Sequence, residues 1–208
     1  MRNLKMKTDN FILDNFTKVG LFISGGLDSS LMLYLITKEI KEKNSNVEFI
    51  TYTVEQHTKK TKQHVDDIIK IVEELNGIKI KNVAVGGQDY AHTDFEVMYG
   101  VLDALNRERF TDKMIDMIYL AATCVPDDLK NVAGVPKRHA QSFFKVSQPW
   151  GELSKDHIVK YILQNDLTDL IKNTHSCTVL GNKHCGECWN CKERIWAFEK
   201  NNSKDLAF

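Results

Sequence analysis

Residues 24–30 read Ser-Gly-Gly-Leu-Asp-Ser-Ser, between the apolar run Val19, Leu21, Phe22, Ile23 and the apolar-rich stretch Leu31, Met32, Leu33, Leu35, Ile36. A strand that turns through paired glycines into a helix faces its amide groups and the positive end of the helix dipole outward, which suits a phosphate group. Gly25 and Gly26 permit the tight path and put no Cβ in the way of an anion, while Ser24, Ser29 and Ser30 add hydroxyl donors. Leu27 lies within the loop and belongs with it to the expected nucleotide site. Asp28 reads either as the cap of a helix over 29–41 or as a ligand to a metal ion. No Gly-Lys-Ser/Thr follows at Walker spacing, which removes the ordinary kinase and GTPase readings.

The second set of chemistry-bearing residues is Cys177, Cys185, Cys188 and Cys191. Tight C-x-x-C turns bring thiolates within a few ångströms of one another, as a tetrahedral Zn²⁺ requires, and Gly186 eases the first turn. An iron–sulfur cluster also takes four cysteines, and spacing alone does not separate the two. A disulfide cluster would need an oxidising compartment, but the chain starts Met-Arg-Asn-Leu-Lys with no apolar segment behind it, so a secretory route is not expected. Four thiolates leave no open position, so a zinc here is structural, with Lys183, Lys192 and Arg194 expected to soften its negative charge. Cys124 stands alone and reads as a buried residue at a strand end. His175 and His184 flank the cysteines and read as supporting or surface groups, and Trp189 and Trp196 as apolar cover for the tail.

These residues need a scaffold, and the apolar pattern alternates strand and helix. Strands are expected at 19–23, 47–54, 78–85, 117–125 and 145–147, with helices at 29–42, 61–75, 95–108, 137–144 and 155–164 and a short helical run near 111–116. Ser154 reads as the cap of the helix over 155–164. The repetition implies an α/β fold, a doubly wound and mostly parallel sheet whose ligands bind beyond the carboxyl ends of the strands, with a C-terminal zinc-binding knuckle. The glycine loop falls at such an end. Residues 86–94 and 126–138 read as loops around the substrate, which makes Asp89, His92, Asp94, Asp127 and Asp128 secondary candidates for Mg²⁺ or substrate contact, against the plainer reading of solvated loop polarity.

At 208 residues the chain suits one domain over 1–208, with the four-cysteine segment 170–198 inside it. No stretch approaches the ~18 apolar residues that span a bilayer, and a cytoplasmic protein is expected. Lysine plus arginine equals aspartate plus glutamate at 28 each, so no global basic field gathers nucleic acid, and a small-molecule substrate is favoured over direct action on a nucleic acid.

The stretch 24–30 resembles the SGGxDS loop of the PP-loop ATP pyrophosphatases, enzymes that split ATP between its α and β phosphates and pass AMP to a substrate oxygen. Combined with Ser176-Cys177, Cys185-Gly186-Glu187-Cys188, Cys191, Arg194 and Phe198, and with Pro149 followed by Leu153-Ser154-Lys155-Asp156-His157-Ile158-Val159, it is similar to the 7-cyano-7-deazaguanine synthase family of the queuosine pathway. The resemblance covers 18–36 and 146–198. It departs in the middle: the family's Pro-Gly-Arg-Asn motif is not found around Val83 to Tyr99, and its Gln-Arg-His run has two partial counterparts, Gln56-His57 and Gln63-His64. What the resemblance implies is an ATP-dependent carbon–nitrogen ligase that converts 7-carboxy-7-deazaguanine and ammonia to the nitrile, releasing AMP and pyrophosphate. It further implies Asp28 and Ser24 in the chemistry, ATP, Mg²⁺ and Zn²⁺ as cofactors, and a homodimer. The alternatives are a PP-loop amidating or thiolating enzyme for a related deazapurine, another small molecule or a tRNA base, and a non-catalytic nucleotide sensor stabilised by zinc.

Overall fold

The computed structural model describes residues 13, 16–54, 61–85, 115–132, 146–177 and 183–208. Among them β1 (Lys18–Phe22), β2 (Glu48–Val54), β3 (Lys81–Val85), β4 (Met117–Tyr119) and β5 (Val146–Ser147) form one sheet in the order β3-β2-β1-β4-β5. Every pairing is parallel. The helices are α1 (Leu27–Glu42), α2 (Thr61–Asn76), α3 (Lys155–Gln164), α4 (Thr168–Asn173) and α5 (Trp189–Glu199). This is the expected α/β architecture. The expected helices at 95–108 and 137–144, the loop 86–94 with Asp89, His92 and Asp94, and Gln56-His57 lie outside the described residues.

Alternation along β1 divides the core, because successive side chains of a strand point to opposite faces. Val19, Leu21 and Ile23 join a large cluster with the apolar faces of all five described helices, including Leu31, Ile68, Ile158, Ile171 and Phe198. Phe22 faces the other way, toward Ile50, Tyr52, Ile115 and Ile118. A polar tie holds α2 to α1 inside the larger cluster: buried Asn76 donates to the Tyr34 carbonyl at 2.9 Å and to Thr37 Oγ1 at 2.7 Å. Burying an amide is tolerable when both of its donors find acceptors, as here.

Several boundaries differ from expectation for visible reasons. Helix α1 begins at Leu27 because Gly26 takes the cap position and its carbonyl already accepts the Ser30 amide at 3.1 Å. Strand β3 starts at Lys81 because the Ile80 amide is drawn to Glu73 Oε1 at 2.8 Å, before the register with β2 begins. That bond and the Lys79 ammonium hold the Glu73 carboxyl below its ordinary range, the lysine acting most strongly. The expected strand 117–125 stops at Tyr119: β5 offers only Val146 and Ser147 to pair, and the chain then follows a different partner, with the Cys124 amide donating to the Leu153 carbonyl at 2.8 Å. Cys124 is therefore a half-buried residue beyond the strand and not a buried strand end. Ser154 sits at the cap of α3 as expected, but its hydroxyl engages Asp156 and His157 and makes no capping bond.

Candidate functional site

β1 lies between β2 and β4, where the strand order reverses, so the crevice of this sheet opens at the carboxyl end of β1. The glycine loop occupies that end. Gly25 has φ +75°, a left-handed conformation, and a Cβ there would lie 3.1 Å from His64 Cβ. Glycine is required on both counts. The Ser24 and Ser29 hydroxyls lie 3.2 Å apart, and the Gly26 carbonyl accepts from Ser29 Oγ at 3.2 Å and Ser30 Oγ at 2.8 Å. Ser29 and Ser30 are buried, and these bonds brace the turn from within; Ser24 is exposed, and its Oγ accepts from the Gly26 amide at 3.4 Å. Leu27 puts its side chain into the core, so it can serve a ligand through its backbone alone. No side chain caps α1, and the amides of a helix's first turn have no acceptor within the helix.

Asp28 does not cap α1, since Gly26 holds that position. Its carboxylate reaches the Lys155 ammonium at 3.2 Å, and the same ammonium meets Glu193 Oε2 at 2.8 Å. Three residues from α1, α3 and α5 thus share charge beneath the loop. Lys155 and Glu193 are both buried.

The segment 174–177 between α4 and the knuckle lies directly on the loop. The His175 amide donates to the Gly25 carbonyl at 2.8 Å, and Ser176 Oγ would lie 3.7 Å from a Cβ on Gly26. Arg194 holds this segment from inside. Its guanidinium, fully buried, donates to Thr174 Oγ1 at 2.8 Å, the Thr174 carbonyl at 3.2 Å, Ser176 Oγ at 3.2 Å and the Ile171 carbonyl at 3.1 Å, and it pairs in bidentate fashion with Asp205. The expectation that Arg194 softens the charge of the thiolates is thereby corrected: its charge is taken by Asp205 and by carbonyls of 171–174.

Three imidazoles stack beside the loop. His64 of α2 lies parallel to His175 with ring centres 4.5 Å apart; His175 faces His184 at 4.7 Å, and His184 faces Phe208 at 4.7 Å. The Ser176 amide donates to His184 Nε2 at 3.1 Å, so the proton sits on Nδ1, which is 3.1 Å from the Ala207 carbonyl. Burial, reinforced by the charge of Arg194, holds His184 below the usual histidine range. The expectation of a supporting role for His175 and His184 fits these contacts.

The four cysteine sulfurs all lie within 4.8 Å of one another. Sγ atoms of Cys185 and Cys191 are 3.9 Å apart, as are those of Cys188 and Cys177. Four sulfurs ~2.3 Å from a tetrahedral ion stand about 3.8 Å apart, so the cluster fits a zinc-sized ion. Gly186, at φ +73°, lets the amides of Glu187 and Cys188 turn onto Cys185 Sγ at 3.4 and 3.2 Å. These two bonds lower the Cys185 thiol's pKa, whereas burial pushes that of Cys191 up, so that ionising Cys191 calls for a cation beside it. Trp189 is buried and Trp196 is partly buried against the core, as expected.

Among the described residues this is the only group of His, Cys, Asp or Glu whose ligand atoms converge. Asp127 and Asp128 are brought to no such group. Asp128 accepts from Lys200 at 2.7 Å and from Trp196 Nε1 at 3.2 Å, which lowers its pKa, and exposed Asp127 pairs with Lys130. Their contacts tie a surface turn to α5. Lys155 and Glu193 are the site residues that motif reading passes over; the signal for Lys155 is its place after Pro149 in the segment Leu153 to Val159.

Comparison with known proteins follows the same division of the chain. The asparagine synthase family model matches residues 13–132, more than half of the chain, and the model for queuosine biosynthesis protein QueC matches 106–202. A 61-residue stretch, 29% of the chain, is 46% identical to the 7-cyano-7-deazaguanine synthase of Sulfolobus acidocaldarius. That stretch spans only 13% of the relative's length. Among solved structures, the U34-tRNA thiolase NcsA from Methanococcus maripaludis, solved with its 4Fe–4S cluster, superposes with a TM-score of 0.54 at 19% identity, over 92% of this chain and 69% of that one. The NMN synthetase from Francisella tularensis gives 0.49 at 11% identity over 95% of this chain and 82% of the other. At such identities the likeness to the thiolase is one of fold. No described helix is long and apolar enough to cross a membrane.

Proposed function

The chain belongs to the asparagine synthase family, whose model matches residues 13–132, and we propose that it is a QueC-like PP-loop ATP pyrophosphatase, a carbon–nitrogen ligase that turns the carboxylate of 7-carboxy-7-deazaguanine into a nitrile at the expense of ATP and ammonia. The observation that carries this reading is the docking of the four-cysteine segment onto the glycine loop through His175 and Gly25. It unites in one site the two motifs that the family resemblance joins.

In this reading the first-turn amides of α1, with Ser24, hold the pyrophosphate as it leaves, stabilising charge that grows in the transition state. The substrate carboxylate attacks the α-phosphorus, the α–β bond breaks, and an acyl adenylate forms. Ammonia displaces AMP to give the amide, whose oxygen is adenylated by a second ATP and lost with AMP as the nitrile forms. Attaching AMP replaces a poor oxide leaving group by a stable phosphate monoester. Asp28 would be the loop carboxylate that holds Mg²⁺, which would supply positive charge against that of the departing pyrophosphate. Cys177, Cys185, Cys188 and Cys191 would hold Zn²⁺, which would supply structure and no open coordination position. The substrate is a free small molecule, and the enzyme works as a homodimer in the cytoplasm.

The test is an incubation of purified protein with 7-carboxy-7-deazaguanine, ammonium and MgATP. The nitrile mass is expected together with AMP, and AMP release indifferent to omission of the deazaguanine would reject the assignment. A 4Fe–4S cluster, as the thiolase's description gives for that protein, would be a different filling for the same four cysteines; stoichiometric iron in place of zinc would move the reading to thiolation. The Gly25→Ala protein carries both a left-handed alanine and the contact with His64, a combined cost of about 3 kcal/mol. It is expected to lose more than tenfold in MgATP affinity with its metal content intact, as measured by calorimetry and elemental analysis.

A further inference from the structure

The geometry points to Lys155 as a positioning residue of the phosphate loop: pinned by Glu193 of the helix that carries Cys191, its ammonium neutralises Asp28 and holds it under the loop, so that a polyphosphate can approach. This rests on the ATP reading above and adds a residue to it.

The argument begins with charge. A loop that receives phosphate has an aspartate two residues past Gly26, in the first turn of α1. Without a countercharge that carboxylate repels the anion the surrounding amides attract. Lys155 supplies the countercharge at 3.2 Å. The lysine is held there against two opposing effects: it is the first residue of α3, where the helix dipole disfavours a cation, and its side chain is 5% exposed. A lysine at such a position is tolerated only with compensation, and two carboxylates provide it.

Glu193 decides where the ammonium stays. It is fully buried, lies 2.8 Å from Lys155 Nζ, and comes from α5 two residues after Cys191. To swing outward and become a phosphate ligand itself, the lysine would have to break this 2.8 Å contact with a buried carboxylate. In the same stroke the metal knuckle is tied to the loop by a second link, independent of the bond between His175 and Gly25. A structural staple asks only that the buried charges balance, which Lys155→Met combined with Glu193→Gln achieves; neutralisation of Asp28 requires a positive charge.

Calorimetric titration of the purified, metal-containing protein with MgATP separates these roles. Lys155→Met is expected to raise the dissociation constant at least tenfold with metal content unchanged, whereas Lys155→Arg, which keeps the charge, stays within about threefold of the unsubstituted protein. Should Lys155→Met leave Glu193 too costly to bury and fail to fold, the charge-balanced Lys155→Met/Glu193→Gln protein takes its place with the same expected loss. A methionine variant that folds and binds MgATP as well as the unsubstituted protein overturns the inference alone, as does a folded arginine variant as weak as the methionine one. Absence of MgATP binding by the unsubstituted protein overturns the ATP reading and the inference with it.

Discussion

Stripping the metal from the four cysteines is expected to abolish nucleotide binding as well as to loosen the C-terminal segment. Structural zinc in peptides of this kind binds with an apparent ~10–16 kcal/mol, comparable to or larger than the ~5–15 kcal/mol that holds a whole domain folded. Its loss cannot stay local here. Cys177 adjoins Ser176 and His175, whose amide bonds Gly25, while Cys191 lies in the helix that supplies Glu193 and Arg194. Chelation, or Cys191→Ser at a fully buried ligand position, should lower the thermal midpoint by about 10 °C or more and remove the calorimetric signal for MgATP. Unaltered ATP affinity in a protein shown to be metal-free would mean that the loop holds its shape unaided.

Arg194→Met should be nearly as damaging. The guanidinium satisfies the Ile171 and Thr174 carbonyls, Thr174 Oγ1, Ser176 Oγ and both oxygens of Asp205. Methionine fills part of the volume and satisfies none of them. Removing one partner of a buried ion pair costs ~3–5 kcal/mol, because the other charge stays behind, and the Asp205 side chain is 4% exposed. At ~2–4 °C per kcal/mol for a chain of this size, the midpoint should fall by about 10 °C. Asp205→Asn combined with Arg194→Met leaves no orphaned charge and should recover part of the loss. A double variant no more stable than Arg194→Met alone would show that the carbonyls, and not the ion pair, set the cost.

The elements whose logic is local are legible in the sequence. Gly25 and Gly186 stand at positive φ, where the residue type itself reports the backbone. The C-x-x-C turns declare their sulfurs' proximity by spacing alone. Helices α1 and α2 follow from apolar residues at helical intervals, and their ends differ from expectation by at most two residues, which is what a cap on Gly26 in place of Asp28 does.

What the chain alone fixes, then, is the set of residues available: a glycine- and serine-rich turn after the opening strand and four cysteines within 177–191, each specified by a short stretch of sequence. That the two touch is a matter of tertiary packing. Asp28, Lys155 and Glu193 converge from three helices, Arg194 finds Asp205, and His64 stacks on His175. None of these pairs lies within one helical turn of sequence. Burial changes what a charge is worth: a lysine or arginine must, once enclosed, be matched by a partner, and which partner is available is settled by packing between distant segments and by no local pattern.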